Sequence, residues 1–413
     1  MDQKRTAILV VLDGLGDRPV IELGGLTPLQ AAKTPNLDQL AAEGQTGLMY
    51  VISPGVTPGS DVAHLFLFGY DPLTHYPGRG ALEVLGTELP FKPGDVGFRA
   101  NFATVDSDLT VTDRRAGRNI TPEEGRILQN AIDGLVIDGI KVHFTHTVQH
   151  RGALVLEGDG LSDKITSVDP RETSLKILES KPLEPKAKKT AKVVNKLIQI
   201  AHEKLRDLEV NKEREKNGLL PANALLLRGP GQLDVVKSLQ DLWGVKSAVI
   251  AGGALYIGTA KYVGMEHVPV EGQTGTIDTS FDNIAKKTIE CVDSGYDFIF
   301  VHIKATDNAS HDQDAKKKVL AIERSDAMIG KIIDTLHERV VLIVTADHST
   351  PIAVGEHTCD PVPVLLWSSF IRADSVQAFS ELDAAKGALH NFRGLSLLPL
   401  MFGYAGLLEK VGA

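Results

Sequence analysis

A doubly wound α/β fold split by a smaller inserted domain is what this sequence predicts, on three observations. Val340-Val341-Leu342-Ile343-Val344 is an unbroken apolar run, the pattern of a strand covered on both faces. Strand-like and helix-like segments alternate through residues 1–78 and again through residues 270–413, as they do where helices cross over a parallel sheet. Between them, residues 79–269 change character, beginning at Pro77-Gly78-Arg79-Gly80. A chain of 413 residues also exceeds one ordinary hydrophobic core, so two domains are expected.

Thr6 to Leu12 reads as a first strand feeding the tight turn Asp13-Gly14. Thr34-Pro35-Asn36 starts a helix with Thr34 as N-cap, Leu37, Leu40 and Ala41 as its apolar face, and Gly44 at its end. The breaker-rich loop Ser53–Ser60 leads into a helix beginning at Asp61, which puts Ser60 at a helix N-terminus, where free N–H groups favour an anion. In the insert, strands are expected at Val142–Thr147, Ala153–Leu156, Ala224–Leu227 and Ala248–Ile250. Lys181–Gly218 carries Val193, Val194, Leu197, Ile198 and Ala201 at helical spacing, a solvated amphipathic helix with a mobile lead-in. After Glu271–Gly275 the chain crosses back. Phe281–Val292 and Ala315–Leu336 read as helices, Tyr296–Ile303, Val340–Val344 and Pro361–Trp367 as strands, and the C-terminus as helical.

A hydrophobic content of 43% with 23% charged residues describes a globular protein in water. The net charge of -9 argues against nucleic acid or an anionic membrane as a charge-driven partner. An anionic substrate stays open, because a local cluster of arginine or metal reverses the field inside a cleft. Cys291 and Cys359 are the two cysteines, so no disulfide framework is expected, and Cys359 reads as a surface-loop thiol. The opening MDQKRTAILVV lacks a small-residue cleavage site and reads as a strand, not a signal peptide, so the expected compartment is the cytoplasm.

The chemistry gathers at strand ends. Asp13, the pair Asp307 and His311 at i, i+4, and Asp347-His348 each follow a predicted strand, with His357 shortly after. Taken singly, each has a plain reading as an N-cap or a surface pair. Together they are six carboxylate and imidazole ligands, too many for one tetrahedral site and suited to two divalent metals. Two metals roughly 3.5–4 Å apart can clamp a phosphoryl group. Ser60 could then supply a nucleophile activated by metal coordination; it lacks the G-x-S-x-G setting of a Ser-His-Asp hydrolase.

These segments resemble a known family. VLDGLGDRP (11–19), TPNLDQLAAEG (34–44), PGSDVAHLFLFGYDP (58–72), KATDNASHD (304–312), TADHSTP (345–351) and His357 resemble the alkaline phosphatase superfamily. With NFATV (101–105), TDRRAGR (112–118), HRGALVL (150–156) and LLLRGPG (225–231), the chain is similar nearly end to end to archaeal-type cofactor-independent phosphoglycerate mutases. The resemblance implies an alkaline-phosphatase-like metal-binding domain over residues 1–78 and 270–413, with an inserted α/β substrate-binding domain over 79–269. It implies that Ser60 is phosphorylated in turnover. Asp13, Asp347 and His348, with Ser60, would hold one metal, and Asp307, His311 and His357 the other, as Mn²⁺, Mg²⁺, Zn²⁺ or Co²⁺. The reaction implied is the interconversion of 3- and 2-phosphoglycerate; the alternatives are a phosphomonoesterase or a phosphopentomutase-like enzyme on the same metal core.

Arginine suits bidentate capture of carboxylate and phosphate. Arg114, Arg115 and Arg118 share one short turn, and Arg151 and Arg228 lie at expected strand edges of the insert. At least two of these are expected to hold the substrate; each taken alone reads equally as a surface arginine. His64 and Lys304 flank the catalytic motifs and are expected near the phosphate, with His150 a weaker candidate and Asp113 a marginal one for proton transfer.

Overall fold

The structure, a computed structural model, describes residues 4–410. The chain divides into two compact units: the segments up to Tyr76 and from Val236 form one, and Pro77–Val235 the other. The second crossing therefore falls near 236, not near 270. The reason is Ser247–Ile250, expected in the insert, which instead pairs in parallel with Phe298–Val301 of the larger unit.

The larger unit is built on an eight-stranded sheet. Its order is Glu266–His267, Ser247–Ile250, Phe298–Ile303, Thr6–Leu12, Val340–Thr345, Val362–Trp367, Gln45–Tyr50 and His390–Arg393. The first five run parallel; Val362–Trp367 is antiparallel to both its neighbours. Every residue of Phe298–Ile303, Val340–Thr345 and Val362–Trp367 is buried, as unbroken apolar runs require. Fully burying one Val, Leu or Ile contributes about 1.5–3 kcal/mol. The core thus has enough in hand to gather charged groups at one rim.

Register decides what meets at that rim. Leu12 lies opposite Ile303 and Val11 opposite Thr345. The three central strands therefore end level, and Asp13, Lys304 and Asp347 emerge side by side at their carboxyl ends, where open α/β sheets bind ligands.

Helix Ala315–Leu336 packs against both Phe281–Asp293 and Pro35–Glu43, and Ser60–Leu67 packs against Ala254–Tyr262. Thr34 holds the N-cap position of Pro35–Glu43, but its side chain makes no capping bond. Asp326 of the long helix caps it instead, accepting from Leu37 N at 2.8 Å and Asn36 Nδ2 at 2.7 Å. A carboxylate there also complements the helix dipole. Strands Gln45–Tyr50 and His390–Arg393 escape the sequence patterns altogether.

The insert carries an antiparallel six-stranded sheet centred on Val96–Val105, which pairs with Val111–Asp113, Arg151–Glu157 and Ala224–Gly231. Ile140–His146 and Val136–Ile137 complete it. Helix Lys188–Arg206 buries Val193, Val194, Leu197, Ile198 and Ala201 in the insert core, as its spacing predicts. Its lead-in is pinned, not loose: Leu183 N donates to Lys164 O at 2.8 Å and Thr166 N to Lys181 O at 2.9 Å.

Arg214, with 1% side-chain exposure, donates to Leu220 O, Glu124 Oε2, Ala116 O and Asn119 Oδ1. It fastens the turn that carries Arg114, Arg115 and Arg118. Arg214→Met strands those buried acceptors and should cost the insert about 3–5 kcal/mol. Hydrogen exchange of the insert strands should show lost protection; protection equal to the parent chain's would contradict this.

Candidate active site

Each candidate group arrives on an element that the sequence builds for another reason. Asp13 follows strand Thr6–Leu12, and Asp347-His348 follow Val340–Thr345. Asp307 and His311 lie one turn apart on the helix Ala305–His311 that follows Phe298–Ile303. Ser60 is the first residue of helix Ser60–Leu67, one residue earlier than its sequence pattern suggests, with Gly59 as N-cap.

Two ligand groups result. Asp13, Asp347 and His348, all buried, bring one side-chain ligand atom each to within 4.8 Å of one another, and Asp307, His311 and His357 do the same. Ser60 Oγ lies 3.1 Å from His348 Nε2, which is also 3.1 Å from Asp347 Oδ2 and 3.5 Å from Asp13 Oδ1. His311 Nε2 is 3.3 Å from Asp307 Oδ2, and His357 Nε2 is 3.8 Å from Asp307 Oδ1.

The imidazoles share one arrangement. His311 Nδ1 bonds Gly355 O at 2.8 Å, His357 Nδ1 bonds Pro58 O at 2.9 Å, and His348 Nδ1 meets Thr350 Oγ1 at 3.0 Å. In all three the Nδ1 partner fixes the ring and leaves Nε2 facing the carboxylates, the outer support that ligating histidines need. Thr350 Oγ1 also donates to Asp307 Oδ1 at 2.9 Å, so one hydroxyl serves both groups. Asp13 Oδ1 and Asp347 Oδ2 are buried oxygens that accept no hydrogen bond, because His348 Nε2, though 3.5 and 3.1 Å away, is paired with Ser60 Oγ. Such orphans are rare in folded proteins and suit a cation. The oxygen and nitrogen donor sets fit divalent metals of the Mn²⁺ and Zn²⁺ kind.

Charge balance explains how three buried carboxylates persist. Burial opposes ionisation of Asp13, but the Lys304 ammonium and His302 hold its carboxyl well below the ordinary range. Lys304 Nζ reaches Asp13 Oδ2 at 3.0 Å and Asp307 Oδ2 at 2.5 Å. Burial opposes its charge in turn, yet Asp13 and Asp307 keep it protonated far above the usual lysine range. The hydrogen bond to Asp307 raises His311 to about 9. His348 and His357 stack with centroids 3.5 Å apart. Two stacked rings cannot both hold a proton cheaply. Burial opposes a charge on either, but Asp347 and Asp13 raise His348, whereas burial and then His348 lower His357.

His64 is placed differently from its expected phosphate contact. Its ring is 1% exposed, packed among Phe68, Tyr256, Phe300 and His302, with Nδ1 on Ser60 O at 2.6 Å. Burial lowers it to about 4, so it is a neutral brace of the Ser60 turn. His302, with Nε2 3.0 Å from Asp13 Oδ2, escaped the sequence reading, although a histidine inside an apolar strand was a visible signal. Cys359 is exposed, as expected of a loop thiol.

Within the insert, Arg114 and Arg228 line a cavity of about 400 Å³ with Arg79, Arg99 and Arg171. Asp169 grips Arg114 bidentately at 3.1 and 2.7 Å and lies 3.9 Å from Arg228. Glu83 pairs with Arg79 and Arg99 at 3.2 and 2.8 Å. Arg228 Nε is buried without a partner, and burial and then Arg99 push the guanidinium down to about 10. Five arginines against two carboxylates leave the cavity positive. Arg115, Arg118 and Arg151 are exposed and do not line it, though Arg151 and Arg118 lie near enough to His150 to add to the burial that lowers it to about 4. Asp113 Oδ1 accepts from Arg115 N and Gly117 N, which makes it a turn anchor. Arg79, Arg99 and Arg171 are far apart in sequence, and no motif joins them.

Two families match the chain: 2,3-bisphosphoglycerate-independent phosphoglycerate mutase over residues 41–211, and type I phosphodiesterase / nucleotide pyrophosphatase over residues 234–360. The 2,3-bisphosphoglycerate-independent phosphoglycerate mutase 1 of Methanocaldococcus jannaschii is 44% identical over 414 residues, covering 100% of both chains. The mutase of Methanopyrus kandleri is 45% identical, covering 99% of each. Among solved structures, a Pyrococcus horikoshii protein superposes with a TM-score of 0.87 at 37% identity, over 99% of this chain and 100% of that one. The cofactor-independent phosphoglycerate mutase of Thermoplasma acidophilum gives 0.72 at 36% identity, over 97% and 100%. Matched from end to end by relatives of this kind, the chain belongs to the 2,3-bisphosphoglycerate-independent phosphoglycerate mutases, which are isomerases.

Proposed function

We propose that this chain interconverts 3-phosphoglycerate and 2-phosphoglycerate through a phosphorylated Ser60, on two divalent metal ions held by the groups described above. The observation that carries the reading is Ser60 Oγ at the junction of a helix N-terminus and the Asp13, Asp347 and His348 group. One metal is assigned to that group with Ser60, the other to Asp307, His311 and His357. When bound, the ions supply Lewis acidity, lowering the proton affinity of the serine hydroxyl and offsetting phosphoryl charge.

The protein's own groups do the rest. Ser60 Oγ forms a bond to phosphorus as the bond from phosphorus to the C3 oxygen breaks, and that oxygen takes the proton Ser60 gives up. The 2-hydroxyl of glycerate then attacks phosphorus, and Ser60 leaves with a proton restored. Lys304, held between Asp13 and Asp307 with 22% side-chain exposure, is the ammonium assigned to the phosphoryl oxygens. The positive cavity of Arg114, Arg228, Arg79, Arg99 and Arg171 supports the assignment of the insert as the unit that holds the substrate's anionic end. Glycerate has to stay bound between the two transfers, with water kept out, or the reaction ends as hydrolysis.

No helix among the described residues is long and apolar enough to cross a membrane. With a phosphorylated small-molecule substrate and two unbridged cysteines, the cytoplasm is the compartment this reading assigns.

Ser60→Ala should abolish turnover, a loss beyond about 10³-fold as expected for a covalent nucleophile, while the melting temperature stays near the parent value and much of the Mn²⁺ binding is kept. Residual mutase activity near the parent level would sink the phosphoserine route. Metal affinity should also depend on pH in a stated direction. His311, raised to about 9, is protonated at neutral pH without metal and must lose that proton to ligate. Mn²⁺ affinity measured by titration calorimetry should tighten by about tenfold per pH unit between pH 6.5 and 8.5 for each proton released. An affinity flat across that window would contradict the assignment of His311.

A further inference from the structure

Below the ligand groups lies a charge with no place in the chemistry. Lys318, on the long helix Ala315–Leu336, has 0% side-chain exposure. Its Nζ donates to Asp17 Oδ2 at 2.8 Å, to Gly14 O at 2.9 Å and to Thr350 O at 3.2 Å. An ammonium has three protons, and all three are used. Asp17 in turn accepts from Ile352 N at 3.1 Å, and its own N–H is taken by Glu381 Oε1 at 3.1 Å.

The two carbonyls belong to residues that hold candidate ligands. Gly14 N donates to Asp347 Oδ1 at 3.2 Å and follows Asp13 directly. Thr350 presents its hydroxyl to His348 Nδ1 at 3.0 Å and donates it to Asp307 Oδ1 at 2.9 Å. The fit leaves no slack: Gly14 has φ +65, and a Cβ there would meet Asp307 Oδ1 and Thr350 Oγ1 at 2.7 Å each. A shift of either carbonyl is therefore passed to Asp347, His348 and Asp307 at once.

We propose that Lys318 is a positioning residue for both metal groups: its buried ammonium ties the Asp13–Asp17 turn to the His348–Ile352 loop, and so sets Asp347, His348 and Asp307 in one geometry. The proposal rests on the metal assignment made above. The plainer account is a buried ion pair kept for stability alone. Buried pairs are weak devices for stability, since an apolar residue of similar volume often serves as well. Stability does not explain why both carbonyls that Lys318 takes belong to residues that grip ligands.

The test is Mn²⁺ binding followed by electron paramagnetic resonance of the free ion, with metal-stripped full-length protein. Lys318→Met in folded protein should weaken Mn²⁺ binding by about 10–100-fold, the usual effect of losing a group that supports a ligand. Parent-like affinity in a folded Lys318→Met protein overturns the proposal, whatever its melting temperature. Should that variant not fold, Thr350→Val carries the test: it keeps the side-chain volume and removes the hydroxyl that passes the position of the Thr350 carbonyl, which Lys318 holds, on to His348 and Asp307. It should weaken Mn²⁺ to a similar degree, and parent-like binding again overturns the proposal. A parent protein that binds no Mn²⁺ would sink the metal assignment itself, an outcome separate from parent and variant binding alike.

Discussion

Three carboxylates, Asp13, Asp307 and Asp347, are held without solvent exposure at one rim of one sheet. Like charges collected in a dry place repel strongly, and each also forgoes hydration. The rest of the larger unit is arranged around making that tolerable. The buried strands supply stability in excess, and their level ends leave the carboxylates no room to part. Lys304 spans two of the three, and the imidazoles of His302, His311 and His348 stand against their oxygens. Two orphaned oxygens remain, which is the unfinished balance that a pair of cations would complete.

A second balance of opposite sign sits in the insert. Arg79, Arg99, Arg114, Arg171 and Arg228 crowd one cavity with Glu83 and Asp169 as partial counter-charges. Arg228 Nε is buried there without a partner, so the cavity is positive and not a neutral hollow. The larger unit gathers negative charge at its rim, and the insert gathers positive charge in its cavity.

What the sequence made legible follows from how local each signal is. The Val340–Val344 run, the helix of Ala315–Leu336 and the motif ends at Asp13, Asp307 and Asp347 are contiguous, and their chemistry is read within a few residues. Ser247–Ile250 was assignable as a strand but not to a sheet, because periodicity does not say which partner a short apolar run will pair with. Strand Val96–Val105 does alternate, with Val96, Phe98, Ala100 and Phe102 in the insert core and Ala103 and Val105 in a separate cluster. Arg99 and Asn101 on its course disguised it. The capping of Pro35–Glu43 by Asp326, the Lys318 tie and the joining of Arg79 to Arg171 are contacts between residues distant in sequence. No local pattern encodes them; only the folded register does.

The measurement that bears most directly on this account is phosphorus NMR of the Mn²⁺-loaded protein with 3-phosphoglycerate, the metal chelated before recording. The account predicts an equilibrium mixture of 3- and 2-phosphoglycerate with no inorganic phosphate. Inorganic phosphate as the product, without 2-phosphoglycerate, would mean that the same core works as a phosphatase and would contradict it.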